Sequence, residues 1–131
     1  MNGRAEYVLD STALLAFLLR EQGAERVAAL FDRSVISSIN LTETIHKLIN
    51  LGSARDAAEN LVREIDIEAV DWTADMAYLS AGFATLGVSH GLSLGDRACL
   101  TLASHLRATA VTSDRQWRHV HGLGVKLLIF R

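Results

Sequence analysis

Hydrophobic positions along the chain form two kinds of segment: short β-rich runs and longer stretches with helical spacing. The β-rich runs predict strands at residues 7–9, 35–37, 67–70, 109–111 and 125–129. Apolar residues that recur every three or four positions are typical of amphipathic helices. The longer stretches predict helices at about residues 11–19, 24–32, 41–51, 54–64, 73–86 and 94–106, and a short helix that begins at Asp114.

Strands separated by helices of this length imply crossover connections, which produce parallel sheets covered on both faces. We therefore expect an α/β fold, a three-layer α/β/α domain with a central, mainly parallel sheet. The 131 residues contain no linker, repeat or low-complexity segment, so one domain spans residues 1–131. In such sheets, ligands bind beyond the carboxyl ends of the strands.

Composition adds little about partners but indicates a compartment. Half of the residues are hydrophobic and 21% are charged, which is typical of a globular protein, and the net charge of −2 favours no partner. The single cysteine, Cys99, permits no internal disulfide and suits a reducing compartment, so we expect a cytoplasmic protein. No stretch approaches the roughly 18 uncharged residues of a membrane span. The apolar run from Tyr7 to Leu19 is interrupted by Asp10 and lacks a basic leader, so we do not interpret it as a signal peptide.

Four acidic residues stand where this sheet would bring them together. Asp10 directly follows the first strand, and Asp114 follows the fourth. Asp96 opens the helix that leads into the fourth strand, and Glu43 lies on the helix after the second strand, off its apolar face. Because the carboxyl ends of parallel strands meet at one edge of the sheet, these carboxylates can converge there.

Each of these acids also has an ordinary structural interpretation. Asp10 and Asp114 can cap the helices that they precede, and Asp96 can belong to a capping box. Glu43 precedes Lys47 by four residues, and an exposed ion pair at this spacing stabilises a helix by a few tenths of a kcal/mol. For each residue taken alone, these interpretations stay open.

A cluster of carboxylates favours a hard divalent cation. Burying such charges together costs several kcal/mol unless a cation compensates them. Mg²⁺ prefers oxygen ligands, takes few carboxylates and keeps several waters. The sequence offers neither the His-x₃-His nor the Cys-x₂-Cys spacing of a zinc site. A magnesium site is therefore the natural interpretation of the acids.

Other chemistries of acidic or nucleophilic residues fit the sequence less well. A haloacid-dehalogenase-type phosphatase needs a second Asp two residues after the first, and Thr12 stands there. A response-regulator receiver needs a Lys after a late strand, and the two lysines, Lys47 and Lys126, are not placed for it. There is no Walker loop, dinucleotide fingerprint or nucleophile elbow. Metal-dependent chemistry on a phosphate backbone remains the strongest interpretation.

Four segments resemble the signature segments of PIN domains, in matching order and spacing along nearly the whole chain. They are Val-Leu-Asp-Ser-Thr-Ala-Leu at 8–14, Ser-Ser-Ile-Asn-Leu-Thr-Glu at 37–43, Leu-Ser-Leu-Gly-Asp-Arg-Ala-Cys-Leu at 92–100 and Val-Thr-Ser-Asp-Arg-Gln-Trp at 111–117. Four such segments together are specific, above all the Gly-Asp-Arg-Ala and Thr-Ser-Asp cores. The single-domain length is similar to that of the VapC toxins of bacterial and archaeal VapBC toxin–antitoxin modules.

This resemblance implies a PIN-like fold and an endoribonuclease that depends on Mg²⁺ or Mn²⁺. It implies that the catalytic residues and the metal ligands are the same four acids: Asp10, Glu43, Asp96 and Asp114. By the same resemblance, Ser11 and Thr112 would orient ligands or substrate. Hydrolysis of RNA would leave a 3′-hydroxyl and a 5′-phosphate.

Further residues and partners follow from the same resemblance. Arg97 and Arg115, with Arg118, are expected near the rim of the sheet, where they can hold flanking phosphates or simply face solvent. Asp75 is expected to interact with a helix dipole rather than to join the site. The implied partners are a VapB-type antitoxin that wraps the toxin and a second copy of the chain in a homodimer, which assemble into a larger complex.

Two alternatives come from other functional classes. In one, the chain is a catalytically silent PIN-like module that binds RNA or protein. In the other, it is a structural or regulatory domain whose acids are only helix caps. Loss of one or more acids would support the silent module, and all four are present here. Metal binding discriminates the nuclease from the cap-only domain, because caps need no cation.

Overall fold

A computed structural model describes residues 5–84, 91–120 and 122–131 and contains a five-stranded sheet. The strands are β1 (Tyr7–Leu9), β2 (Ser34–Ser37), β3 (Glu68–Val70), β4 (Thr109–Thr112) and β5 (Leu127–Ile129). They pair in the order β3-β2-β1-β4-β5, and each of these pairings is parallel. The predicted α/β fold with a mainly parallel sheet is confirmed.

Within the described ranges, six α-helices accompany the sheet. They are α1 (Ser11–Leu19), α2 (Ala24–Leu30), α3 (Ser38–Asn50), α4 (Arg55–Glu64), α5 (Ala74–Ala84) and α6 (Leu94–Leu106). Two short 3₁₀ helices, Phe31–Arg33 and Arg115–His119, complete the set. None of these helices is both long and apolar enough to cross a membrane. The predicted end of α5 at residue 86 lies outside the described residues.

Some boundaries differ from the predicted ones for local reasons. α3 begins at Ser38 rather than at residue 41, because the Ser37 hydroxyl accepts a hydrogen bond from the Ile39 N–H at 3.2 Å and caps the helix. The helix predicted at 24–32 ends at Leu30 and tightens into the first 3₁₀ turn. β5 begins at Leu127 rather than at residue 125.

Helices cover both faces of the sheet. Alternate residues of a strand point to opposite faces, so the apolar side chains on each face need a layer of helices to bury them. On β1, Val8 packs into a core built mainly from α5, α6 and the segment 117–123. Its neighbour Leu9 packs on the opposite face against α1 and α2. A third core cluster joins α1, α3 and α4. The three-layer arrangement is therefore confirmed.

The order of the strands defines one position in the sheet where a ligand can bind. From β1 the chain adds β2 and β3 on one side, and it then returns to add β4 and β5 on the other. Leu9 pairs with Ile36 and with Val111, so the residues that follow these strands lie side by side at the carboxyl edge. Such a reversal of strand order is where open α/β sheets bind their ligands. It lies here between β1 and β4.

Gly23 provides a test of how the last strand is fastened to the fold. It stands before α2 with φ +86°, and a Cβ atom there would lie 2.7 Å from Cδ2 of the buried Phe130 ring and 2.9 Å from Phe130 O. We expect Gly23→Ala to lower the free energy of unfolding by about 2–4 kcal/mol, through left-handed strain and overpacking. Urea denaturation measures this loss.

Gly82→Ala is the matched control, because a Cβ at this position in α5 meets no atom within 4 Å among the described residues outside its own helical turn. It should leave stability unchanged or raise it by up to about 1 kcal/mol. An equal loss in both variants would contradict the assignment of Gly23.

Candidate functional site

Asp10 lies at the base of the site, where β1 ends and α1 begins. The residue is only 4% exposed. Its Oδ1 accepts hydrogen bonds from the Ala13 N–H at 2.9 Å, which caps α1, and from the Thr12 hydroxyl at 2.6 Å. Its Oδ2 accepts from the Thr112 hydroxyl at 2.5 Å. Because a carboxylate oxygen has two lone pairs, Oδ1 is fully used and Oδ2 keeps one lone pair for a further ligand.

The two threonines fasten Asp10 to the end of β4. The Thr12 oxygen accepts from the Ser113 N–H, and the Thr112 oxygen accepts from the Asp114 N–H, both at 3.0 Å. Each hydroxyl therefore takes a backbone hydrogen bond and directs its own hydrogen to Asp10. Sequence reasoning selected Thr112 but missed Thr12. The signal that could have found it is the Asp-x-Thr spacing at the start of a helix.

Asp96 lies in the first turn of α6, half-buried. Its Oδ2 accepts from the Ser93 N–H at 2.9 Å, while the Ser93 hydroxyl accepts from the Asp96 N–H at 3.1 Å. This reciprocal capping box is the ordinary interpretation given to Asp96, and it is confirmed. Burial raises the pKa of Asp96, and the charges of Asp114 and Glu43 add to the increase.

Asp114 and Glu43 complete the group of acids. Asp114 caps the 3₁₀ helix Arg115–His119, and its Oδ1 accepts from the Gln116 N–H at 2.9 Å. Glu43, on α3, accepts from the Asn40 side chain at 2.9 Å. Within the described parts of the chain, Glu43 forms no ion pair with Lys47, so the surface-pair interpretation of this residue is wrong.

The structure brings these four acids together electrostatically. Asp96 interacts with each of the others, since its charge raises the pKa of Asp10 and its own pKa is raised by Asp114 and Glu43. Burial is the main reason why the pKa of Asp10 rises to about 6, against the opposing effect of its hydrogen bonds. These interactions are those that the predicted convergence at one rim of the sheet requires.

Cys99 lies close to the acids but does not share their chemistry. Its buried thiol donates to Val8 O at 3.6 Å. Burial and the nearby charges of Asp10 and Asp96 raise the pKa of the thiol well above its ordinary value. The thiol therefore stays protonated and is not a nucleophile.

The donor set suits a hydrated divalent cation rather than a closed cage of ligands. Among the described residues, no three acidic, histidine or cysteine side chains are arranged to hold a metal ion together. The free lone pair of Asp10 Oδ2, with the half-exposed Asp96 and Asp114 around it, can supply one or two carboxylate ligands and leave room for water. That is how Mg²⁺ is usually bound.

Comparison with known proteins assigns the family. The sequence matches the PIN domain family over residues 7–123. The chain belongs to the PIN domain family. No curated protein sequence matches it significantly. The PIN fold agrees with the predicted resemblance and with the sheet described above.

Solved structures with the same fold come from several bacteria. A chain of VapBC2 from Rickettsia felis, bound to a DNA fragment from their promoter, has a TM-score of 0.72 at 16% identity and covers 93% of this chain and 96% of that one. DNA-bound VapBC from Salmonella typhimurium has a TM-score of 0.69 at 19% identity, with 94% and 96% covered. FitAcB from Neisseria gonorrhoeae has a TM-score of 0.67 at 19% identity, with 93% and 96% covered. At these identities the likeness establishes the fold.

The three arginines predicted near the acids of this PIN domain donate hydrogen bonds to backbone carbonyl groups. Arg97 is half-buried, and its Nη1 donates to Leu92 O at 2.8 Å. The exposed Arg115 donates to Arg131 O at 3.1 Å, and Arg118 donates to Arg115 O at 3.2 Å. All three guanidinium groups keep further N–H donors, so phosphate contacts by them stay a prediction.

Ser11 and Asp75 also differ in their relation to the site. Ser11 is buried beside Asp10, but the hydroxyl groups that reach the Asp10 carboxylate belong to Thr12 and Thr112. A contact of Ser11 with substrate stays a prediction. Asp75 lies exposed in the first turn of α5, where the helix dipole favours an acid, as expected.

The raised pKa of Asp10 predicts a specific dependence of stability on pH. Because the folded pKa of about 6 exceeds the ordinary 3.8, the folded protein binds more protons than the unfolded chain between these values. The free energy of unfolding therefore falls as pH rises through this window, by up to about 3 kcal/mol from Asp10. In EDTA, Asp10→Asn should lose this contribution, so its stability relative to wild type rises between pH 4 and pH 7.5.

Urea denaturation at the two pH values measures the difference. Asp56→Asn, at an exposed acid on α4, serves as the control and should follow wild type at both values. If Asp10→Asn also follows wild type, the buried carboxylate does not have the raised pKa.

Proposed function

We propose that this PIN domain is a VapC-type toxin, an endoribonuclease that hydrolyses RNA phosphodiester bonds with Mg²⁺ or Mn²⁺. The observation that supports this most directly is the buried Asp10 carboxylate at the switch point of the sheet, which interacts with Asp96, while Asp96 interacts with Asp114 and Glu43. A helix cap alone does not require a buried carboxylate whose pKa is raised by burial and by a second acid.

Each acid has a distinct part in the proposed reaction. Asp10 Oδ2 and a carboxylate of Asp96 or Asp114 would hold the cation, and Glu43 would complete the acidic wall on the α3 side. When bound, the divalent ion polarises the scissile phosphate and lowers the pKa of a coordinated water. Water would attack phosphorus, the bond between phosphorus and the 3′-oxygen would break, and a proton released by the water would pass to the departing oxygen. The products are a 3′-hydroxyl and a 5′-phosphate.

Groups beside the acids are proposed to hold the substrate. The unused N–H donors of Arg97, Arg115 and Arg118 are suited to the phosphates that flank the scissile bond. Ser11 is proposed to contact the substrate, and Thr112 to orient Asp10 through its short hydrogen bond.

An antitoxin and a second copy of the chain are the proposed protein partners. Solved VapBC complexes share the fold of this chain. Exposed apolar side chains that suit protein contact are Leu19, Ile49, Leu51, Leu61, Tyr78 and Leu79. Leu14 and Leu48, by contrast, are fully or almost fully buried and belong to the core.

RNA cleavage by purified protein tests the proposed activity. Discrete cuts with 5′-phosphate ends should appear in total RNA when Mg²⁺ or Mn²⁺ is present and disappear in EDTA. Asp10→Asn, Glu43→Gln, Asp96→Asn and Asp114→Asn should each lower the rate by orders of magnitude. Double variants should lose little more than single ones, since the acids act together around one cation.

Asp75→Asn is the control, because this exposed acid on α5 is not among the charges that raise the pKa of Asp10 or Asp96. It should cleave like wild type. A wild type that folds but cuts no RNA would favour the catalytically silent binding module, and cleavage by Asp96→Asn at the wild-type rate would overturn the assignment of the site.

Sedimentation tests the proposed assembly. The chain should sediment as a homodimer, and with the antitoxin from a neighbouring open reading frame it should form a larger complex.

Leu51→Glu, which charges a side chain that is 70% exposed at the end of α3, should weaken antitoxin binding about tenfold or more. Ala28→Glu, on the exposed side of α2, should not. A chain that stays monomeric alone and with its partner contradicts the assembly.

A further inference from the structure

Asn40 is a buried amide one helical turn before Glu43. It is 1% exposed, in the first turn of α3. Its Nδ2 donates to Glu43 Oε1 at 2.9 Å and to Gly95 O at 3.0 Å, which uses both hydrogens of the amide group. Asn40 therefore links the Glu43 carboxylate to the first turn of α6.

Gly95 supplies the space in which the Glu43 carboxylate lies. A Cβ atom built at Gly95 would overlap the carboxyl carbon and both carboxyl oxygens of Glu43. Only a residue without a side chain lets this carboxylate rest on the α6 backbone, next to Asp96. The first turn of α6 is also the positive end of a helix dipole, which favours a carboxylate there.

The oxygen of the Asn40 amide indicates that this side chain is present for its N–H donors. Asn40 Oδ1 is buried without a hydrogen-bond partner among the described residues. A buried unsatisfied acceptor costs about 1–3 kcal/mol, which an apolar side chain of the same branching would avoid. The amide at this position thus adds little stability of its own, and its clear effect is to orient Glu43.

We propose that Asn40 is a positioning residue that, with the bare backbone at Gly95, fixes the Glu43 carboxylate so that it faces the bound divalent cation. This inference rests on the proposed function and assigns a role to two residues that do not themselves bind the cation. Among the described residues, Asn40 is the one side chain that donates to Glu43. Without it, the carboxylate of a half-exposed glutamate turns freely toward solvent.

The test measures Mn²⁺ affinity by calorimetry beside RNA cleavage and stability. Asn40→Leu should raise the Kd for Mn²⁺ about tenfold and lower cleavage by a similar factor, as is typical when a residue that orients the charged groups of a metal site is removed. Its melting temperature should stay near that of wild type, because the lost hydrogen bonds are offset by the loss of the unsatisfied Oδ1. Gly95→Ala should weaken Mn²⁺ binding in the same way, and Asn60→Leu, at an exposed amide on α4, should match wild type.

A double-mutant cycle separates positioning from general structure. In a Glu43→Gln background, Asn40→Leu should have no further effect on Mn²⁺ affinity, since the group that it orients no longer carries charge. Full additivity, or an unchanged Kd in Asn40→Leu, overturns the inference. If Asn40→Leu does not fold, Asn40→Ala removes the same N–H donors without adding a larger apolar group. The same measurements of Mn²⁺ affinity then test the inference.

The outcome for the proposed function is read separately. If wild type binds Mn²⁺ but cuts no RNA, the proposed activity fails, while the difference in Kd between wild type and Asn40→Leu still decides the role of Asn40. If wild type binds no Mn²⁺ at all, both proposals are overturned.

Discussion

The buried carboxylate of Asp10 is the constraint on which the rest of the site depends. A charge placed at the edge of β1 loses its water, and hydrogen bonds must replace that water. Thr12, Thr112 and the Ala13 N–H supply them, and two of these three groups are themselves held by backbone donors after β4. The carboxylate therefore joins α1 to the end of β4 across the switch point, and one lone pair remains for a ligand.

Capping and the proposed metal binding are compatible roles for these acids rather than competing ones. Asp10, Asp96 and Asp114 all cap helices in this fold. A cap places the carboxylate at the positive end of a helix, which reduces the cost of gathering like charges at one rim. The capping hydrogen bond also fixes one oxygen of the carboxylate, so the position of the helix determines the direction of the other oxygen. The sequence left open whether each acid caps a helix or binds a metal ion. In this fold one residue can do both.

The sequence was sufficient for features with a local physical cause. The strand and helix periods follow from side-chain alternation, and the positions of Asp10 and Asp114 follow from the ends of β1 and β4. The contacts of Thr12, Asn40 and Gly95 depend instead on which elements meet in space. Asn40 touches a residue 55 positions away, and Thr12 one 101 positions away. For the same reason, Glu43 could be mistaken for a surface residue paired with Lys47, because its neighbour on α6 is invisible in the sequence around it.

The difference between the deepest acid and the outer ones argues for the kind of cation that this rim accepts. Asp10 is rigid and nearly saturated with hydrogen bonds, whereas Asp96, Asp114 and Glu43 are only half-buried. A closed zinc site needs four convergent ligands, preferably nitrogen or sulfur. Here the sole neighbouring thiol is held protonated, and Asp10 offers one fixed oxygen with a lone pair left. Such a donor set favours an ion that keeps most of its waters, and oxygens of a phosphate can replace some of those waters.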